Sequence, residues 1–308
     1  MKSSGADTVL IALAFNHERY LPQLFSSICA NLGSLSELVL IDNGSSDDSL
    51  SMMRGFAASL PSTVNVQVQS NPPRTSVSFA VNQGLRATRA SLVSVIAADD
   101  FLLPRRYEAQ VACLNGDPAA MFCFSNGWVC NEDGILSDVP VHDRRTIELI
   151  EPAAGQRRRS LVYPIPALFT QCALFRRAAL EAVGAWDESL AIDDWPLNIR
   201  LFARFPEGSR YVEGAVAAYR RHPTNVSKRR FRQYIGQKRV LEKVATGSDA
   251  VQSMFALFAT QMLLSLKRRQ PWRARAFAHA ARRTRAGLIF PLVWLAHEIR
   301  RRMAIKIR

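Results

Sequence analysis

Residues 92–104 read LVSVIAADDFLLP, an apolar, β-branched run that stops in two adjacent acids and then turns apolar again. Two carboxylates side by side repel each other and resist desolvation unless a cation or a set of donors meets them. A strand ending in such a pair predicts a binding role at its carboxyl end. Toward the N-terminus the same design recurs. TVLIALAF (8–15) is a short β-rich run, ELVLIDNGSSDDS (37–49) is an apolar run stopped by Asp42 and a Gly/Ser/Asp turn, and VNVQVQS (64–70) alternates as a strand. Between them, ERYLPQLFSSICANL (18–32) sets Leu21, Leu24, Phe25 and Ile28 on one helical face, and SLSMMRGFAASL (49–60) and SVSFAVNQGLRATRA (76–90) also fit helices. Strand and helix alternate up to Asp100, the pattern of an open, mostly parallel α/β sheet. Ligands of such sheets sit beyond the carboxyl ends of the strands, where Asn16, Asp42, Asp99 and Asp100 all fall.

The middle of the chain, 119–228, is less regular. AMFCFSNGWVCNEDG (120–134) reads as two strands around a turn, RRAALEAVGAWDE (176–188) as a helix and its exit, and AIDDWPLNIRLFARF (191–205) as a helix with Asp193 and Asp194 near its start. Arg157 to Arg159 suggest an exposed loop. Five cysteines lack CxxC pairs or regular spacing and read as reduced, mostly buried thiols. The apolar run before Asn16 is too short for a signal peptide, so a cytoplasmic address is expected. The formal charge of +14 is unevenly spread. Residues 229–308 hold 19 Lys and Arg against three acids, a net +16, whereas residues 1–228 hold 21 against 23, a net −2. Body and tail therefore need separate explanations.

Five segments together resemble the family 2 glycosyltransferases, inverting enzymes with the GT-A fold that use nucleotide-diphosphate sugars. VLIALAFNHERYLPQLFSSI (9–28) is similar to the family's opening strand and helix, with Phe15 and Asn16 where a YN pair is usual. ELVLIDNGSSDDS looks like the second strand with its DDGSxD turn, and VNQGLRATRASLVSVIAADDFLLP (81–104) like the NxGxxxAxG helix leading to the acidic metal motif. FRRAALEAVGAWDESLAIDDWPLNIRLF (175–202) resembles the region of the acceptor-side acid pair, and YRRHPTNVS (219–227) the YRxHxxNxS segment. The resemblance spans about residues 8–228. It implies a GT-A domain over 1–228, with a nucleotide-sugar half (about 1–118) and an acceptor half (about 119–228), followed by a basic helical extension, 229–308.

The resemblance also implies roles. Phe15, Asn16, Asp42 and Asp99 would meet the nucleotide sugar, Asp42 at the base and Asp99 at the ribose. Asp42 and Asn16 also have the side chains that cap the helices following them. Asp100, with His222, would hold Mn²⁺ or Mg²⁺ on the diphosphate, a hard cation that prefers oxygen ligands. The family's motif often begins with one more Asp, where Ala97 stands here. Asp194 would be the general base that takes the acceptor hydroxyl's proton as the anomeric carbon is attacked from the face opposite the leaving nucleotide. Asp193 and Trp195 are acceptor-side candidates, Trp195 as a stacking face and equally as core.

The implied donor is a UDP, GDP or dTDP sugar, and the acceptor a saccharide or lipid-linked saccharide of polysaccharide or lipopolysaccharide synthesis. The tail alternates basic clusters with apolar, Trp-containing stretches, and AGLIFPLVWLAHEI (286–299) is too short to span a bilayer. Helices lying on an anionic membrane surface fit this pattern, which places the protein peripherally on the inner face of the plasma membrane. Nucleic acid is not the expected partner, because no recognition motif accompanies the charge. Two alternatives stand beside transfer. A nucleotidyltransferase would show a Gly-rich loop after the first strand, and AFNHERYLPQ has no glycine. A catalytically inactive glycosyltransferase-like binding or scaffold protein has Ala97 as its hint.

Overall fold

A computed structural model of the chain describes residues 7–150, 168–223, 225, 230–244, 247–267 and 269–282. The chain divides into two compact units, the first ending at Arg230 and the second holding residues from Phe231 onward. In the first, β1 (Thr8–Ala14), β2 (Glu37–Asp42), β3 (Asn65–Ser70) and β4 (Leu92–Ala97) form the parallel part of one sheet. β1 is buried along its whole length, as a strand covered on both faces must be. Helices α1 (Leu21–Cys29), α2 (Ser49–Ser59) and α3 (Val77–Ala87) connect these strands.

Beyond β4 the direction changes. The strands that follow are β5 (Phe101–Leu102), β6 (Phe122–Cys130), β7 (Leu136–Pro140), β8 (Ala173–Arg176) and β9 (Ser209–Arg220), and the strand order is β3-β2-β1-β4-β8-β6-β9-β5, with β7 paired to β6. β8 runs antiparallel to β4 and to β6, while β9 lies parallel to β6. The short β5, just past the acid pair, pairs antiparallel with β9. The stretch 120–134 contributes one long strand rather than two, because its second half keeps pairing with β9, and β7 follows the turn. The remaining helices of this unit are α4 (Arg106–Gly116), α5 (Arg144–Ile150), α6 (Arg177–Ala182) and α7 (Asp194–Arg204).

One side of the parallel sheet packs Leu10, Leu38 and Leu40 against Leu21, Leu24 and Ile28 of α1, with Met53 and Tyr107 in the same cluster. On the other side α3 lies close at Gly84, where an added Cβ would stand 2.8 Å from Ile11 Cγ2 and 2.9 Å from Ile41 Cδ1. Glycine is needed there for proximity. The NxG spacing has a second structural purpose. Asn82 donates through Nδ2 to the Trp186 carbonyl and accepts through Oδ1 from the Trp186 amide, tying α3 to the segment that leads to α7.

The second unit contains α8 (Arg230–Val244), α9 (Gly247–Lys267) and α10 (Pro271–Arg282). Phe255, Phe258, Ala259 and Ala281 form its buried cluster, with Tyr234 and Phe277 edge-on at 5.1 Å. Trp272 is 66% exposed, with the Arg273 guanidinium 4.9 Å from its ring centre. No helix among the described residues is long and apolar enough to cross a membrane. The Arg157–Arg159 loop and the stretch 286–299 lie outside the described residues.

Candidate active site

Sheet register brings the strand ends together. Ala14 pairs with Asp42, and Leu13 pairs with Ala97, so the exits of β1, β2 and β4 share one edge. Asn16 takes a left-handed backbone (φ 56°) just after β1. From there its amide donates to Ser45 Oγ at 2.9 Å, and its side-chain carbonyl accepts from the Ser46 amide at 2.8 Å. Asn16 thus braces the turn after β2 instead of capping α1, which starts after Tyr20. Phe15 beside it is 51% exposed. Asp42 shapes the same turn: Oδ2 accepts from the amides of Gly44 and Ser45, while its buried Oδ1 has no partner. It does not cap α2, whose N-cap is Asp48. A buried carboxylate oxygen without a donor carries a desolvation cost that a ligand's N–H would remove.

The two acids after β4 lie in opposite environments. Asp99 Oδ2 is 2.9 Å from His222 Nε2 and 4.0 Å from His17 Nε2. Burial raises the Asp99 carboxyl, yet the His222 hydrogen bond and the nearby His17 outweigh it and hold the group below its ordinary range. Burial pushes the His17 imidazole down, and its Nδ1 is buried without a partner. Asp100, expected at the metal, is turned into the protein and is 3% exposed. Its Oδ1 accepts the Arg220 amide at 2.8 Å and its Oδ2 accepts Gln171 Nε2 at 3.1 Å. Burial and the neighbouring Asp99 push its carboxyl well up.

Arg220, 1% exposed, organises this corner and carries a role that sequence reading did not assign. Its side chain donates to the carbonyls of Asp99 and Glu132 and to Gln23 Oε1, and lies over the rings of Tyr20 and Phe101. Asn225 closes the segment by donating to the Arg220 carbonyl and accepting from the His222 amide. Three letters of the YRxHxxNxS pattern thus have a physical purpose: arginine positions Asp99 and Asp100, asparagine fixes the turn, and histidine meets Asp99.

Asp194 opens α7. Its Oδ1 accepts the Thr170 hydroxyl at 2.7 Å and its Oδ2 accepts the Thr170 amide at 3.1 Å. Burial and the adjacent Asp193 raise its carboxyl to about 8, against the pull of these two bonds. Burial also raises Asp193, the N-cap. Trp195 is 4% exposed, so it belongs to the core and presents no open face to a sugar. Its position one residue into an amphipathic helix gave no sign of which side it would face. Thr170 and Gln171, consecutive residues of the turn before β8, hold Asp194 and Asp100 respectively, and nothing in their sequence marks them.

No group of three or more His, Cys, Asp or Glu side chains among the described residues forms a ready metal cage. The Asp99 carboxylate instead suits a divalent ion that takes its remaining ligands from a bound phosphate and water, while His222 Nε2 is engaged with Asp99 Oδ2.

Comparison with known proteins agrees with this architecture. The glycosyl transferase family 2 profile matches residues 9–184, more than half of the chain. An uncharacterized glycosyltransferase of Nostoc sp., alr2836, is 28% identical over 94 residues, which is 30% of this chain and only 28% of that protein's length. Among solved structures, the mannosyltransferase PcManGT of Pyrobaculum calidifontis, in complex with GDP-Man and Mn²⁺, superposes with a TM-score of 0.59 at 18% identity over 96% of this chain and 80% of that one. S. aureus TarS 1-349 in complex with UDP-GlcNAc gives 0.57 at 12% identity, over 89% of this chain and 91% of that one. A parallel sheet with acids at its strand ends, the antiparallel strands beyond it and these matches lead to one conclusion: the chain belongs to glycosyl transferase family 2 and has the GT-A fold of nucleotide-sugar transferases.

Proposed function

We propose that the protein is an inverting glycosyltransferase that moves one sugar from a nucleotide-diphosphate donor to a saccharide or lipid-linked saccharide acceptor, with Asp194 as general base. The observation that carries this reading is the pair of contacts from one turn. Thr170 orients Asp194, and Gln171 next to it orients Asp100 at the edge where Asp42 and Asp99 gather. Donor-side and acceptor-side acids are thereby set relative to each other, as a displacement at one carbon requires.

In this reading residues 1–118 serve the donor, and 119–228 serve the acceptor except for the 220–222 segment, which returns to Asp99 and Asp100. Asp42 Oδ1 accepts an N–H of the base, and Phe15 and the Asn16-braced turn border the nucleoside. Asp99 and His222 face the diphosphate and a divalent ion, while the buried Asp100 anchors the corner. Mn²⁺ or Mg²⁺ would neutralise charge on the departing diphosphate. Asp194 takes the proton of the acceptor hydroxyl as the new glycosidic bond forms, and it needs its ionised state to do so. Mn²⁺ in the PcManGT complex, together with the GDP and UDP sugars of the two structural neighbours, supports the donor class. The basic second unit, with exposed Trp272 under Arg273, supports docking on an anionic membrane surface where a lipid-linked acceptor resides.

Titration calorimetry with UDP, GDP and dTDP, with and without Mn²⁺, tests the donor reading. Metal-dependent binding of one nucleotide, lost in Asp99→Ala, is the expected result. A folded protein that binds none of the three refutes it.

A further inference from the structure

The turn that holds both acids is itself gripped from behind. Its three consecutive carbonyls are all taken by two side chains of α4. Arg106 donates through Nη1 to the Gln171 carbonyl and through Nη2 to the Ala173 carbonyl, and Gln110 donates through Nε2 to the Cys172 carbonyl. Arg106 and Gln110 stand four residues apart, on one face of the helix. They are 1% and 0% exposed. Arg106 Nη2 also donates to Ser94 Oγ of β4, and its own amide donates to Asn31 Oδ1. No carboxylate lies within ion-pair distance of the Arg106 guanidinium among the described residues.

A buried guanidinium that meets carbonyls, a hydroxyl and the Tyr107 ring but no carboxylate is an expensive way to fill a core. What an arginine supplies and an apolar residue does not is a planar fork of donors with fixed directions. Here the fork spans both ends of the turn. With its carbonyls held toward α4, the turn presents the Thr170 amide and hydroxyl to Asp194 and the Gln171 amide group to Asp100.

We propose that Arg106 and Gln110 are positioning residues for sugar transfer, a clamp on the 170–173 turn that fixes the proposed base Asp194 relative to the donor-side acids. This rests on the reading of Asp194 as the base. Neither residue touches substrate, so their effect passes through Thr170. The charged and titratable groups around Asp194 are Asp193 on its own helix, the Cys172 thiol on the turn, and Asp100 and Arg106 from beyond the turn; Cys172 feels all three of Asp194, Asp100 and Arg106. Thr170's two bonds favour the ionised carboxylate, so a slackened turn raises the pH at which Asp194 ionises.

The test uses the full chain and the variants Arg106→Lys, Gln110→Met and Thr170→Val, each measured for the pH dependence of kcat, nucleotide affinity, melting temperature and amide hydrogen exchange of the turn. The clamp variants are expected to lose exchange protection at the Thr170 amide. All three should lower kcat about 10-fold or more while nucleotide affinity changes by less than about 2-fold, and their ascending pH limbs should move up by about half a pH unit or more. Thr170→Val, which leaves the clamp intact, calibrates the size of the pH effect. A folded Arg106→Lys or Gln110→Met protein with wild-type kcat, pH limb and turn protection overturns the proposal, even if its melting temperature falls. Where Arg106→Lys does not fold, Gln110→Met, which removes one carbonyl bond of the clamp together with the bond to Ser125 Oγ, decides. A wild type that transfers no sugar from any donor, but whose turn loses protection in the clamp variants, overturns the glycosyltransferase reading and leaves the clamp standing.

Discussion

The loops after β1 and β2 and the turn before β8 both carry or hold proposed site residues, yet they are held in opposite ways. On the donor side, the amides of Asn16 and Glu18 donate to Ser45 Oγ and Asp47 Oδ2, while Asn16 and Glu18 accept in return from the amides of Ser46 and Asp48, all in exposed surroundings. Water can replace any one of these partners, so each bond contributes only about 0.5–1.5 kcal/mol. On the proposed acceptor side, the carbonyls of the turn meet two fully buried side chains, where a lost partner leaves a buried group unpaired. The contrast teaches that the proposed donor side is held by solvent-accessible bonds, whereas the turn that holds the proposed base is fixed by buried ones.

The sharpest way to break this comparison is at the base itself. Asp194→Asn should lower kcat by about 10²–10⁴-fold with nucleotide affinity unchanged, as loss of a general base requires. A variant retaining more than about a tenth of the wild-type rate in single-turnover transfer would remove Asp194 from that role. Next in size is the split between the two adjacent acids. Asp99→Ala should weaken Mn²⁺-dependent nucleotide binding by about 10–100-fold. Asp100→Asn, by contrast, should lower the melting temperature and leave the metal response in place, because both its oxygens serve protein donors. The reverse pattern would restore Asp100 as the metal-facing acid.

Smaller effects sharpen the frame around the site. Gly84→Ala should destabilise the fold by about 1–3 kcal/mol, since the new methyl meets Ile11 and Ile41 well inside van der Waals contact. Chemical denaturation measures this directly, and a neutral result would mean that α3 has room to lift from the sheet. The raised carboxyl of Asp194 also has a sign. Its proton is held more tightly in the folded state than in the unfolded one, so the group favours folding least above pH 8 and costs progressively less as pH falls toward the ordinary aspartate range. Asp194→Asn should therefore melt about 2–4 °C above wild type at pH 9, with the difference shrinking toward pH 4. The same ionisation of the proposed base should make transfer rise with pH through about 8, read from the pH profile of kcat. Smallest of all, Asn16→Ala should cost about 1 kcal/mol or less, read from a denaturant midpoint.

Much of the frame was legible because its signal is local. Continuous apolar runs mark β1, β2 and β4 and alternation marks β3, and the residue that ends each apolar run falls at the sheet edge whatever the packing, so Asn16, Asp42, Asp99 and Asp100 were identified together. The glycine and asparagine of VNQGLRATRA were visible as a motif, but their purpose, close approach to Ile11 and a tie to Trp186, needed the third dimension. Trp195 stayed open between a stacking face and core, because burial at a helix start depends on what packs over it. Thr170, Gln171 and Arg106 carried no mark at all: a threonine, a glutamine and an arginine in ordinary surroundings become a device only when a helix and a turn meet.

What the linear chain decided was therefore the alternating α/β order, the acids at the strand ends, and the separation of a neutral body from a strongly basic tail, since each follows from side-chain character over a few neighbouring residues. What tertiary structure alone decided was which of two adjacent aspartates faces His222 and which faces inward. Successive residues in a tight turn point in different directions, and the donors that fix them come from far along the chain: Gln171, 71 residues from Asp100, and Arg220, 120 residues away. Hydrogen bonds over such separations exist only after the sheet has closed around them.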